Sequence, residues 1–410
     1  MTGLLKMVEE DSKRNNLPLE GISIVAVEQY GAGPWGTMIL ADLGAEIIKI
    51  ENPHTKGDIA RYVPPHAIDE DSIYFQSFNR NKLGMTLDLT HSRAHEILHP
   101  LVLKSDAIFN NLRGDLPKKL GLDYSSLKDV NPAIVCCSLS AFGREGFRAH
   151  EPGYDYLMQG YTGWMSITGE PDGSPQKSGL PMVDLSGGAM ASIGLLSALM
   201  RSKSTGKGCD VDVNLFDNAI SHLSFIAAWH LTKGYQPKRF PDSSHPSMIP
   251  SQVLPTKDGW LVVMCAKNKF YQNLVSILGV PELASDDRFA DYEDRLKNRD
   301  VLIPILKEMS KKKTTSQWLG LLKGNVPCAP VNTVEEAFKD PQTLQDDMVI
   351  DVEHPDFGKV RQVAGPIKFS DANKTHVKAP KLGEHTDKIL GEKLGFTQSE
   401  IDNLRNEKVI

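Results

Sequence analysis

The sequence predicts an α/β protein, a large Rossmann-like parallel-sheet domain with a small α+β domain, on three observations. Strand, glycine turn, helix and strand follow one another between residues 22 and 50. That unit then repeats as far as Ser138. A proline- and serine-rich stretch after Gly234 separates this region from one of hairpin and amphipathic-helix texture.

The elements follow in order. Ile22–Val27 is a β-branched run, Gly31-Ala32-Gly33-Pro34 a turn, Trp35–Leu43 a helix and Glu46–Ile50 a strand. Pro34 suits the first helical position, where its missing N–H costs nothing. Gly84–Leu89 reads as a strand, Ser92–Lys104 as a helix, and Ala107–Asn110 and Ala133–Ser138 as strands, an alternation that implies a parallel sheet covered by helices. Met182–Val183 ends a further strand, and Ser186–Arg201 is a helix whose small residues permit close packing. The strand Asp210–Val213 leads into a helix over Asn214–Leu231. Beyond the loop PKRFPDSSHPSMIPSQ, Val253–Met264 folds as a hairpin about Lys257-Asp258-Gly259. Lys269–Leu278, Val301–Ser310 and Thr315–Leu322 are amphipathic helices. Two strands within Val349–Phe369 meet at HPDFGK, and Gln398–Asn406 is a terminal helix.

Composition narrows the function classes. The 410 residues are 40% hydrophobic and 24% charged, with 33 glycines and 25 prolines, which are globular values and long enough for two or three domains. A net charge of −6 argues against a broad nucleic-acid or anionic-membrane footprint and leaves room for a local basic pocket. Five cysteines without a CxxC pair point to a reducing compartment, not to a disulfide scaffold or structural zinc. Residues 1–16 carry acids where a targeting peptide needs basic residues, so they read as a leader of a cytoplasmic protein. The longest apolar stretch, Leu185–Met200, falls short of the roughly 20 residues that span a bilayer and reads as a buried helix.

Three motifs carry chemistry. GAGPWG at Gly31–Gly36 matches G-x-G-x-x-G between a strand and a helix, with Glu51 ending the next strand. The dinucleotide reading, an NAD-dependent dehydrogenase, competes with glycines that serve only a tight turn and helix packing. His95-Glu96-Ile97-Leu98-His99 matches H-E-x-x-H, but Pro100 would end or kink the helix at the second ligand, so solvated histidines are expected and no metal site. Asp184 closes the run PMVD ahead of Ser186-Gly187-Gly188. Its carboxylate is expected at a strand end beside a helix N-terminus, which would keep it ionised, as a nucleophile requires. An ordinary helix-capping aspartate is the alternative.

Six blocks in order, VEQYGAGPWGTMILADLGAEIIKIE, GDIAR, SFNRNK, PGYDYLMQGYTGWMSITGEPDG, MVDLSGG and LGEHT, together resemble the family III CoA-transferases from about Leu17 onward. The resemblance implies a discontinuous large CoA-binding domain (17–225 and 335–410), a small domain (226–334), and two interlocked protomers. It implies acyl-CoA and a small carboxylic acid as substrates, with coenzyme A entering as a thioester and no tightly bound cofactor. Asp184 then corresponds to the family's catalytic aspartate, passing through an aspartyl anhydride and an aspartyl-CoA thioester. Gly31 and Ala32 would line the CoA channel. Leu87, Asp88, Leu89 and Thr90 would lie at the adenine, Asn111, Leu112 and Arg113 at the neighbouring strand end, Lys119 at a phosphate, and Tyr154 beside the active site. Asn52 stands where the formyl-CoA transferase pattern has a basic residue.

The loop Ser243–Ser251 lacks the glycine run of formyl-CoA transferase, and its pattern through Gln252 looks closer to dicarboxylate transferases. His245 and Gln252 are therefore substrate-side candidates, with loop capping as the alternative for His245, and Arg61 of GDIAR is a third, to pair a distal carboxylate, with a structural ion pair as its alternative. Racemases of α-methylacyl-CoA share the fold but pair the aspartate with a histidine where this chain has Tyr154. Tyrosine, with a pKa near 10, serves poorly as the second acid/base group. A non-catalytic CoA-binding protein is the remaining class.

Overall fold

The computed structural model describes residues 16–372 and 375–410, so the expected leader lies, but for Asn16, outside the described residues. The chain divides into two units. One takes in the chain up to Thr162 together with Gly179–Ser224 and Leu344–Ile410; the other comprises Gly163–Ser178 and Phe225–Thr343. The placement of Gly163–Ser178 differs from the sequence reading, and a long-range contact explains it. The Arg239 guanidinium donates to the carbonyls of Glu170 (2.9 Å), Gly173 (2.6 Å) and Ser174 (3.0 Å), which ties this loop to the second unit.

The first unit is built on six parallel strands: β1 (Ser23–Val27), β2 (Glu46–Glu51), β3 (Leu83–Thr86), β4 (Ala107–Asn110), β5 (Val135–Ser140) and β6 (Cys209–Asn214). Their order is β3-β2-β1-β4-β5-β6. Ile24 of β1 pairs with Ile47 on one side and Ala107 on the other. The order reverses at β1 and β4, and the crevice beyond the carboxyl ends of such a pair is where doubly wound sheets bind ligands. All five residues of β1 are buried, as an apolar run covered on both faces should be.

Helix α1 (Ala32–Asp42) begins three residues earlier than expected, which puts Pro34 in the third helical position. Its missing N–H is still one of the first four that have no acceptor within the helix. Helix α2 spans Ile73–Asn79. Helix α3 (His95–Leu103) runs through Pro100 without ending there, held by the buried side chains of Ile97, Leu98, Leu101 and Val102.

The expected strand at Met182–Val183 is absent. Those residues open helix α5 (Met182–Thr205), which follows α4 (Asp155–Tyr161). Sequence alone read the apolar dipeptide after Pro181 as a strand end, whereas a distant acceptor on α4, described below, stabilises the first turn of a helix. At 24 residues α5 is also longer than expected, long and apolar enough to cross a membrane by length and composition. One face, including Val183, Gly187, Gly188, Ala191, Leu195 and Leu199, is buried. Gly36 and Gly188 let α1 and α5 nearly touch: a Cβ on Gly188 would lie 2.4 Å from the Ala32 carbonyl oxygen. The single helix expected over Asn214–Leu231 is two, α6 (Leu215–Ser221) and α7 (Ser224–Lys233), broken where Ser224 adopts φ +48°.

In the second unit, β7 (Ser251–Pro255) and β8 (Trp260–Met264) form the expected hairpin and β9 (Cys328–Pro330) pairs with β8. Leu254, Leu261, Val263, Tyr271, Leu274, Leu306 and Trp318 make its core. In the first unit, β10 (Val349–His354) and β11 (Gly358–Val363) form a separate antiparallel ladder and do not extend the large sheet. They are anchored to the two ends of helix α2, by Arg80, which donates to the Val363 carbonyl at 3.0 Å, and by His354 against Asp71 at 3.1 Å.

Candidate active site

A cavity of about 550 Å³ opens at the carboxyl ends of β1 and β4. It is lined by the turn Gln29–Ala32, by Asn111, Leu112 and Arg113 after β4, by Tyr154 ahead of α4, and by Asp184 in the first turn of α5. These come from four separate stretches of sequence. Six residues singled out for CoA (Gly31, Ala32, Asn111, Leu112, Arg113, Tyr154) thus meet Asp184 in one place.

The turn is held rigidly. Gln29 N–H donates to Asn111 Oδ1 (2.9 Å) and Asn111 Nδ2 returns a bond to the Gln29 carbonyl (2.8 Å), clamping the ends of β1 and β4. Tyr30 adopts φ +68°, a left-handed conformation that a non-glycine residue keeps only when its surroundings impose it. Its N–H donates to Asp58 Oδ1 at 2.9 Å, and Asp58 Oδ2 is paired with fully buried Lys49 at 2.9 Å. Beneath them Lys82 binds Glu28 at 2.7 Å and the Pro34 carbonyl at 3.0 Å, and burial lowers its pKa to about 8.

Asp184 is 8% exposed. Burial first, and then the charge of Asp155, raise its pKa to about 7. This corrects the expectation that the helix N-terminus keeps it ionised. The N–H groups of Val183 and Asp184 donate instead to Asp155 Oδ2, at 2.6 and 2.9 Å, so the helix end is satisfied by another carboxylate and desolvation governs Asp184. A Cβ built on Gly31 would stand 3.2 Å from Asp184 Oδ2 and 3.7 Å from the Tyr74 hydroxyl. The ring of Tyr74 on α2 lies 5.4 Å from that of Tyr30, tilted by 34°, and Tyr30 in turn meets Tyr154 edge-on at 6.1 Å. Tyr30, Tyr74 and Asp155 were not singled out from sequence. A distinctive motif context was present for each (QYG, SIYF, GYD), but nothing in spacing says that three rings and two carboxylates converge.

Other candidates lie elsewhere. Leu87 is buried behind β3, and Asp88 is engaged by Asn52 (3.2 Å) and Thr90 (2.7 Å); neither they nor Leu89 line the cavity. Lys119 lies outside the lining too, yet it shares a partner with Arg113: Asp115 is 2.5 Å from Arg113 Nε and 2.6 Å from Lys119 Nζ. Arg61 is fully buried, with Glu51 at 2.7 Å, the Pro380 carbonyl at 3.1 Å and the Phe75 ring 3.8 Å from its guanidinium carbon. Its contacts are those of the structural ion pair, and they also occupy Glu51, the acid a dinucleotide site needs for a ribose. In the second unit, His245 Nδ1 accepts from the N–H groups of Ser247 (3.1 Å) and Met248 (3.0 Å), a loop cap, while its ring stacks on Phe225. Gln252 is buried on β7, accepting from Ser244 Oγ at 3.3 Å. His95 and His99 stand 5.9 Å apart on α3, and Glu96 between them is paired with Arg93 at 2.8 Å.

Residues 19–386 match the family model for CoA-transferase family III. The chain is a family III CoA-transferase. Among its relatives, succinyl-CoA:glutarate CoA-transferase from Homo sapiens is 34% identical over 403 residues, covering 97% of this chain and 91% of that protein. Acetyl-CoA:oxalate CoA-transferase from Acetobacter aceti is 35% identical, covering 92% of this chain and 96% of the other. A CAIB/BAIF family protein from Brucella suis, known from its crystal structure, superposes with a TM-score of 0.80 at 38% identity, over 92% of this chain and all of that one. As a CoA-transferase of this family, the chain acts on CoA thioesters and carboxylic acids. The racemase alternative is not favoured, and no histidine lines the cavity among the described residues.

Proposed function

We propose that the protein moves CoA from an acyl-CoA donor to a small carboxylic acid, with dicarboxylates as the favoured class, through covalent intermediates on Asp184. The observation that carries this reading is the buried carboxylate of Asp184, facing the cavity at the switch point of the sheet. Its ionised form attacks the donor thioester carbonyl, forming a mixed anhydride and expelling CoA thiolate. The thiolate attacks the aspartyl carbonyl, releasing the donor acid and leaving an aspartyl-CoA thioester. The acceptor carboxylate displaces CoA from that carbonyl, and the thiolate then takes the acceptor acyl group, regenerating Asp184. Each step exchanges one activated acyl bond for another. Burial keeps water from the anhydrides, and a pKa near 7 leaves a substantial ionised fraction at neutral pH without making the carboxylate so weak a base that it loses nucleophilicity.

Coenzyme A carries three phosphate groups. Arg113 at the cavity and the adjacent Lys119 are the basic pair that supports binding them, with phosphate displacing Asp115. The dicarboxylate preference is supported by the named substrates of the relatives, glutarate and oxalate. A cytoplasmic homodimer belongs to the same reading. Exposed Leu157, Met190, Ile193 and Met200 on α4 and α5 support a second protomer on that face. Mass spectrometry after mixing protein, succinyl-CoA and hydroxylamine tests the mechanism: a hydroxamate on Asp184 is expected. Full transferase activity in Asp184→Ala overturns it.

A further inference from the structure

The glycines of the turn have separable reasons to be there. A Cβ on Gly33 would lie 2.8 Å from Asn111 Cγ, and one on Gly36 would lie 2.6 Å from the Gly188 carbonyl oxygen, so both permit close packing inside the fold. Gly31 does not belong with them. Its φ of −115° and ψ of −69° need no glycine, and its missing side chain faces the Asp184 carboxylate and the Tyr74 hydroxyl. The space it leaves is part of the cavity.

We infer that Gly31 is a specificity-determining residue, its absent side chain setting how long an acyl group can sit over Asp184. The inference rests on the reading of Asp184 as nucleophile. Donor and acceptor carbonyls must each come within bonding reach of an Asp184 oxygen, and the acyl chain beyond that carbonyl has to pass through neighbouring space. At Oδ2 that space is bounded by the Cα of residue 31. A two-carbon acyl group ends close to the carbonyl. A four- or five-carbon group with a terminal carboxylate extends into the volume that a side chain at 31 would take. A methyl group at 31 would stand 3.2 Å from Asp184 Oδ2, pressing on that oxygen by a few tenths of an ångström and filling the space beside it, so the part of the penalty that comes from lost space should grow with chain length.

The test measures the rate of hydroxylamine capture at Asp184 with acetyl-, malonyl-, succinyl- and glutaryl-CoA in the wild type, Gly31→Ala and Gly31→Val, with thermal melts confirming the folded state. The expected result is a glutaryl-to-acetyl rate ratio at least tenfold lower in Gly31→Ala than in the wild type, and lower again in Gly31→Val. An unchanged ratio, or an equal fall with all four donors, overturns the role of Gly31, since a shifted carboxylate slows every donor alike. If Gly31→Val does not fold, Gly31→Ala decides the outcome alone. Absence of capture in the wild type with all four overturns the Asp184 reading beneath it, and is thereby distinguished from failure of the inference itself.

Discussion

Asp155 accepts the backbone N–H groups of both Val183 and Asp184, so the acid that caps helix α5 is also the charge that helps raise the pKa of the Asp184 side chain. Cap and pKa are one device. Removing the charge while keeping the acceptor separates them. In Asp155→Asn the acid limb of the pH dependence of kcat/KM is expected to move below the wild-type value near 7, but not to the ordinary carboxylate range, because burial is the larger cause. Helix stability should fall by about 1 kcal/mol from the weaker cap. A pH profile in Asp155→Asn that coincides with the wild type would refute this coupling.

The raised pKa also costs stability. The folded protein holds the Asp184 proton more tightly than the unfolded chain does. The penalty is therefore absent below the unfolded value near 3.8, grows as pH rises, and is complete above about 7. Asp184→Asn, which cannot ionise, is expected to be more stable than the wild type at pH 8, by at most about 4 kcal/mol, with the advantage shrinking at pH 5. Melting curves at the two pH values check this; equal differences at both would count against a buried, charged Asp184.

Arg61 should behave as a structural residue. Arg61→Ala leaves buried Glu51 without its partner and is expected to cost about 3–5 kcal/mol. Arg61→Lys recovers little of this, because Glu51 receives both Nε (2.9 Å) and Nη2 (2.7 Å), a fork that one ammonium does not reproduce. Chemical denaturation measures both. A lysine variant of wild-type stability with only a raised KM for a dicarboxylate would return Arg61 to the substrate side.

The contact between α1 and α5 allows no Cβ. Gly188→Ala places a methyl group 2.4 Å from a backbone oxygen and 3.1 Å from the Gly36 nitrogen, neither of which can rotate away. Alanine's better helix propensity, about 1 kcal/mol, is outweighed by the clash, and a net loss of roughly 1–3 kcal/mol is expected. Because α1 carries Ala32 at the cavity and begins directly after Gly31, the rate of Asp184 capture should fall with it. A melting temperature at or above that of the wild type would show that the helices separate freely.

The sequence by itself determined what local periodicity and local chemistry can determine. Short apolar runs between turns and helices placed all six strands of the parallel sheet within a few residues and the β7–β8 hairpin about Lys257-Asp258-Gly259. The ordered motifs identified the family, and they singled out Asp184, the nucleophile proposed above, and the Gly31–Ala32 turn that lines the same cavity. Tertiary structure decided whatever depends on a partner distant in the chain. Met182–Val183 is helix and not strand because Asp155 caps it, and Gly163–Ser178 joins the second unit because Arg239 binds its carbonyls. Arg61 turns inward because Glu51 awaits it, and Gly31 is distinguished from Gly33 and Gly36 only by what each faces. A residue's type and spacing report its own preferences. Burial and the charge beside it, which set the pKa of Asp184, exist only after the chain has brought separate segments together.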